Sequence, residues 1–248
     1  MAPILEVRGS FRGLHVLRGV SFSVPAGAIV GLIGPNGAGK STLFNIISGF
    51  LPPDSGTIVY RGTDITRQPI PARSRAGLVR TFQTPQVFQH LTVRENLMAG
   101  CYKQGSSGVL RDLIALPGSR RDVRAMAAAA EEACERFGLT DVREQLAGKL
   151  PAGQQRLLEL ARAAVSGPSL LCLDEPSSGL NSQEVASLMA ALERLNRDGM
   201  SILLVSHDMD LVAVAPEINV LCFGEIVSRG SLEQVRADAR VREAYLGV

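Results

Sequence analysis

Short apolar and β-branched runs open the chain at Ile4 to Val7, Val20 to Val24 and Ala28 to Ile33, broken by Gly and Pro. This pattern predicts strands joined by turns. A glycine-rich turn spans Gly34 to Lys40, and from Gly39 onward Leu43, Ile46 and Ile47 recur at spacings of 3 and 4. A helix is therefore expected to start inside the turn and to end near Gly49. Between Thr84 and Val165 the character becomes helical, most clearly in 122–137, where Val123, Met126, Ala127, Ala130, Cys134 and Phe137 form one apolar stripe. The stretch 103–121, with Gly105, Gly108, Pro117 and Gly118, is the least patterned and is expected to be a surface loop with a short helix.

The β pattern returns at Ser169 to Leu173 as a continuous apolar run, the kind buried on both faces of a parallel sheet. Asn181 with Glu184 reads as a capping box ahead of Val185, Leu188, Met189, Leu192 and Leu195. Strands are expected at Ile202 to Val205 and Ile218 to Phe223, and Ser231-x-x-Gln234 opens a last helix. Strands alternating with helices imply a three-layer α/β core. The expectation is one domain over 1–248, with a helical subdomain at approximately 84–165 inserted in it.

Composition changes this picture little. Apolar residues make up 46% of 248, enough for a sizeable core. The 26 basic and 24 acidic residues leave a formal charge of +2, spread along the chain, so no basic footprint for nucleic acid or anionic lipid is present. Cys101, Cys134, Cys172 and Cys222 form no CxxC pair, which argues against a zinc site or disulfide framework and for small core residues in a reducing compartment. The N-terminus lacks the pattern of a secretory signal, and no apolar run approaches the ~20 residues of a spanning helix. A cytosolic protein is expected, one that serves any membrane process by docking.

Gly34-Pro35-Asn36-Gly37-Ala38-Gly39-Lys40-Ser41-Thr42 fits the phosphate-binding loop G-x-x-x-x-G-K-[ST], placed between a strand and a helix as its mechanism requires. Glycines let backbone N–H groups converge on phosphate oxygens, and the helix N-terminus adds positive potential. Lys40 then reaches the β and γ phosphates and Ser41 can ligate Mg²⁺. Leu170 to Leu173 is an apolar run that ends in Asp174-Glu175. In this chemistry a strand-end Asp holds Mg²⁺ and a following Glu polarises the attacking water. His207 follows the strand Ile202 to Val205 and suits either a γ-phosphate contact or a polar cap. Gln83, after Leu78, Val79 and Phe82, offers a neutral amide to Mg²⁺ or the attacking water. Together these residues point to hydrolysis of Mg²⁺-bound ATP.

GPNGAGKST, Gln83, the LPAGQQ of 150–155, CLDEP of 172–176, SSGLN of 177–181 and SHD of 206–208 resemble, in order and spacing, the successive motifs of ABC transporter ATPases. The resemblance implies a P-loop core with a mainly parallel sheet, an N-terminal antiparallel β part and a helical subdomain. It implies His207 as γ-phosphate switch and Gln83 as Mg²⁺ and water contact. Phe11 is either the aromatic that stacks on adenine or a core residue. Two positions depart from the common pattern: Leu150-Pro151-Ala152-Gly153-Gln154 stands where relatives have Leu-Ser-Gly-Gly-Gln, and Asn181 where an Asp is usual. Backbone N–H groups at Gly153 and Gln154 then remain to face a phosphate of another subunit.

GQQRLLELAR, RTFQ, SHDMDLV and the terminal Arg242-Glu243-Ala244-Tyr245-Leu246-Gly247 are similar to the ATP-binding subunits of bacterial branched-chain amino-acid uptake systems. Importers of urea, amides or aromatic acids look similar, and a soluble ATPase of this class, unlinked to transport, is the other reading. The resemblance implies a second ATP-binding subunit, identical or related, two membrane permease subunits and an extracytoplasmic solute-binding protein. It places the chain peripherally on the cytoplasmic face of the bacterial inner membrane, with the helical insert, hinged near Gln83, passing motion to a permease. No nucleic-acid partner is expected.

Overall fold

The computed structural model describes residues 3–11, 17–53, 55–101 and 117–246, with the side chains of 8–11, 117–120 and 246 outside that description. The chain divides into two compact units, Met1–Gln83 with Ser169–Val248, and Thr84–Pro168.

The first unit carries two sheets. In the smaller, β1 (Pro3–Phe11) pairs antiparallel with β2 (Leu17–Pro25) and with β4 (Thr57–Tyr60), and β5 (Thr63–Asp64) closes the edge. Val7 stands opposite both Phe22 and Ile58, and all three are buried. Val20, Phe22 and Val24 point inward while Ser21 lies exposed, the alternation of a sheet with one face on the core.

The larger sheet runs β10-β9-β3-β8-β7-β6. Its strands β3 (Ile29–Ile33), β6 (Leu78–Arg80), β7 (Leu170–Asp174), β8 (Ser201–Val205) and β9 (Glu217–Cys222) are parallel, and β10 (Glu225–Gly230) returns antiparallel beside β9. Every residue of β3, β7 and β8 is buried, which is why these runs show no alternation. Helix α1 (Lys40–Ser48) buries Leu43, Phe44, Ile46 and Ile47 in a core shared by both sheets, with Leu5, Val30, Leu32, Cys172 and Leu203. A short helix α2 (Ile70–Arg75) precedes β6.

Among the described residues the second unit carries the α-helices α3 (Val93–Cys101), α4 (Pro117–Phe137) and α5 (Ala152–Val165), with two short 3-10 turns at Thr140–Val142 and Ala147–Lys149. A Cβ on Gly100 would meet the carbonyl of Arg162 at 2.6 Å, so α3 and α5 approach at glycine distance. Asn96 is fully buried and satisfied: its amide donates to the carbonyls of Phe88 and Thr92, and its Oδ1 accepts from Phe88 N–H.

The remaining helices, α6 (Ser182–Arg197), α7 (Met209–Val212), α8 (Leu232–Ala237) and α9 (Ala239–Leu246), belong to the first unit. The capping boxes of Asn181 with Glu184 and of Ser231 with Gln234 are both formed. The first satisfies three N–H groups at a helix start and the second two.

Several local expectations need correction. Phe223 is not in a strand but in the β9–β10 hairpin turn at φ 45°, followed by Gly224 at φ 82°, a pair that suits the twist of a two-residue hairpin. The helix opened by Ser231 is not the last, since Asp238 interrupts it and α9 follows. Helix α4 begins at Pro117, inside the stretch read as a surface loop with a short helix, and runs on as one helix to Phe137; proline is tolerated in a first turn because its missing N–H would have no partner there. The part of 103–121 before Pro117 lies outside the described residues. Val123 is 49% exposed, and burial on α4 becomes complete only from Ala130 onward. At about 31 Å, α4 is more than twice as long as α3, at about 13 Å, which can therefore cover only part of it. All four cysteines are buried, and burial raises their thiols, Cys134 up to about 11 and Cys172 up to about 12.

Candidate nucleotide site at the carboxyl ends of the parallel strands

The strand order sets β3, β8, β7 and β6 side by side and parallel, so the loops that leave their carboxyl ends open on one edge. Open α/β sheets bind ligands at that edge. The loop after β3 is Gly34–Gly39, β7 ends in Asp174-Glu175, β8 leads to Ser206-His207 and β6 leads to Gln83. One cleft is accordingly lined by Asn36 through Thr42, Gln83, Asp174, Glu175 and His207.

The loop is held tightly at its start and open at its end. A Cβ on Gly34 would lie 2.0 Å from the carbonyl oxygen of Leu221 on β9, so only glycine fits there. Gly39, at φ 104°, is the N-cap of α1 and supplies no side-chain cap, and the first turn of α1 holds no acid. The N–H groups at this helix start are therefore left for an anion. Ala38 is fixed from both sides: its N–H donates to Pro35 O at 3.2 Å and its carbonyl accepts from Gly224 N–H at 3.2 Å.

Lys40 folds back on its own loop, donating from Nζ to Gly34 O at 2.6 Å and to Pro35 O at 3.1 Å. Burial lowers the affinity of its amine for a proton, while Glu175 and Asp174 nearby work in the other direction. Glu175 continues the sheet, its N–H donating to Val205 O at 2.8 Å, and then turns sharply at φ 46°. Such a conformation is costly for a residue with a Cβ and recurs at functional sites. Its Oε2 lies 2.7 Å from His207 Nδ1 and accepts the backbone N–H of His207 at 3.2 Å. His207 itself is 69% exposed, an imidazole reaching over the cleft from a fixed backbone.

Asp174 is paired with Arg80, whose Nη2 donates to Oδ2 at 2.8 Å. Thr81 extends the β6 ladder, donating to Cys172 O at 2.9 Å, and Phe82 packs edge-on against Phe50 just before Gln83. Gly153 and Gln154 lie in the first turn of α5, in the second unit, with Gly153 buried and Pro151 as N-cap. Phe11 lies in β1, its side chain outside the described residues.

Two residues near the site were given no chemistry by the sequence reading. Arg80 entered it only as the first residue of RTFQ, a resemblance, though a basic residue closing a short, partly buried strand is itself an unusual signal. Tyr245 sits in a terminal segment whose sequence signal is a resemblance and not a chemistry. Burial pushes its phenol above the ordinary value, against a backbone hydrogen bond at Gly34 that pulls it down. The chain's last helix thus meets the first glycine of the loop.

A mainly parallel sheet with a phosphate-type loop, a strand-end Asp-Glu pair and an exposed His at one edge suits an ATP-binding cassette ATPase. The chain belongs to that family: residues 17–178, more than half of it, match the family described as ABC transporter. Residues 225–248 match the family described as branched-chain amino acid ATP-binding cassette transporter. The chain is 39% identical over 250 aligned residues to the high-affinity branched-chain amino acid transport ATP-binding protein BraF of Pseudomonas aeruginosa, covering 99% of this chain and 98% of that protein. Identity and coverage are the same for LivG of Escherichia coli K12, also a high-affinity branched-chain amino acid transport ATP-binding protein. Among solved structures, a nucleotide-free ATP-binding cassette from an ABC transporter superposes with a TM-score of 0.84 at 31% identity, covering 100% of both chains.

Proposed function

We propose that this chain is the ATP-hydrolysing subunit of an importer for branched-chain amino acids, working as a dimer on the cytoplasmic face of a bacterial inner membrane. The cleft carries the reading: Lys40, Asp174, Glu175, His207 and Gln83 line one space at the mouth of an anion-ready helix start. Near-full-length likeness to two branched-chain transport subunits supports the solute class. Two permease subunits, an extracytoplasmic binding protein and a second ATP-binding subunit complete the assembly. No described helix is long and apolar enough to cross a membrane, so the path for the solute belongs to those partners.

The backbone from Asn36 to Thr42 receives the β and γ phosphates, and Lys40 exchanges its two carbonyl partners for phosphate oxygens. Glu175 takes a proton from the attacking water, with His207 steadying both its carboxylate and the γ-phosphate. Ser41, Gln83 and Asp174 offer a hydroxyl, an amide and a carboxylate oxygen, the hard donors that Mg²⁺ takes. No cluster of three or more His, Cys, Asp or Glu that could hold a metal occurs among the described residues, as suits an ion bound mostly through nucleotide phosphates and water. Bound there, Mg²⁺ would neutralise charge on the phosphates. Gly153 and Gln154 of each subunit present their N–H groups to the nucleotide held by the other.

The test is Lys40→Ala in the intact transport system. Loss of ATP hydrolysis together with loss of leucine, isoleucine and valine uptake, with far-ultraviolet circular dichroism unchanged, is expected. Retained hydrolysis would overturn the site. Lost hydrolysis with normal uptake of all three would overturn the solute class.

A further inference from the structure

Arg80 lies outside the phosphate loop, the carboxylate pair and the switch histidine, yet three elements of the site meet on its guanidinium. Nη1 donates to Asn45 Oδ1 at 2.6 Å and to Ser48 Oγ at 2.8 Å, both on α1, the helix that the loop opens. Nη2 donates to Asp174 Oδ2 at 2.8 Å, at the end of β7. Its own backbone closes β6, three residues before Gln83. The rings of Phe44, Phe50 and Phe82 surround it, with centroids 4.6, 5.2 and 5.3 Å from Cζ. The pair is largely removed from water, at 10% exposure for the Arg80 side chain and 12% for Asp174.

We infer that Arg80 is the positioning residue for the metal-binding carboxylate, gripping one oxygen of Asp174 so that the other is presented to the cation. The inference rests on the reading of Asp174 as a Mg²⁺ ligand. A fork is required here because one group must satisfy Asn45, Ser48 and Asp174 from fixed directions, which a lysine ammonium on a flexible stem cannot do. The three rings supply a second constraint, since a cation held over aromatic faces in a dry setting gains attraction from each. Arg80 also decides which cation takes Asp174. Lys40 feels the charges of both Asp174 and Glu175. With Arg80 occupying Oδ2, Lys40 rests on Gly34 and Pro35 carbonyls and remains available to a phosphate.

The experiment measures ATP affinity with Mg²⁺ and again with EDTA, and takes the ratio, in wild type, Arg80→Met, Arg80→Lys, Asn45→Ala and Asp174→Asn. Methionine keeps an apolar stem beneath the rings; thermal melts check that each variant folds. In Arg80→Met the ratio is expected to fall about tenfold or more, the usual loss when a partner behind a metal ligand is removed. Arg80→Lys is expected to recover little of it. Asn45→Ala, which loosens Arg80 without touching Asp174, should shift the ratio the same way by a smaller factor. Binding of Mn²⁺ in place of Mg²⁺, followed by electron paramagnetic resonance, should show the same order. A ratio unchanged in Arg80→Met, or fully restored by lysine, would overturn the inference while a loss in Asp174→Asn keeps the metal reading. A ratio unchanged in Asp174→Asn would overturn both. If Arg80→Met does not fold, an unchanged ratio in Asn45→Ala overturns the inference by itself.

Discussion

Glu175 holds a left-handed backbone at φ 46° directly after a fully buried strand, and that conformation can be weighed separately from its chemistry. Replacing it by Ala or by Gly removes the same carboxylate and the same contact with His207, so both variants should lose hydrolysis alike. They differ only at the backbone. A residue with a Cβ in this region is strained by about 1.5 kcal/mol, which glycine escapes. Glycine gives back about 0.7 kcal/mol because its unfolded chain is freer. About 0.8 kcal/mol in favour of Glu175→Gly remains. For a chain of this size about 1 kcal/mol moves Tm by 2–4 °C, so the Gly variant should melt roughly 2–3 °C above the Ala variant. At an ordinary strand or helix position the order would be reversed, because glycine there is the weaker residue. Differential scanning calorimetry of the two proteins without nucleotide gives the comparison directly. An Ala variant that melts at or above the Gly variant would refute the assignment of strain to Glu175.

Two further outcomes follow from the same geometry. Gly34→Ala would put a Cβ 2.0 Å from the carbonyl of Leu221, so the loop must retreat by about an ångström, a misplacement that costs on the order of a hundredfold in rate. Steady-state kinetics with ATP should show that fall in a protein whose secondary structure is intact, and wild-type kcat and KM would contradict it. With Cys134 at about 11 and Cys172 at about 12, the reactive thiolate is roughly one part in a thousand or less at pH 8. Maleimide should therefore label these two slowly in the native protein and fully in guanidinium, as read by mass spectrometry; rapid native labelling of Cys172 would contradict its burial.

The sequence by itself determined what depends on neighbours along the chain. The strand, glycine turn and helix from Ile29 to Ser48 follow from local pattern, and both capping boxes follow from residue types three apart. The place of Asp174-Glu175 was legible because an apolar run that ends in two adjacent carboxylates is a buried strand whose end reaches the sheet's carboxyl edge. The class of fold was legible too, since runs without alternation require a sheet covered on both faces. Strand order was not, because such runs are apolar on every side and carry no mark of which neighbour they take.

Tertiary structure alone decided that β6 lies beside β7 and β8 beside β3, and so that Gln83, Asp174, His207 and Lys40 line one cleft. It also decided what each of these groups touches. Arg80 between Asn45, Ser48 and Asp174, and Tyr245 at Gly34, are contacts between residues that no local spacing relates. The same holds for the positive φ of Glu175 and Phe223. Neither residue type favours that conformation. It is imposed where a strand must turn over a site or into a hairpin, and only the packed sheet makes that turn necessary.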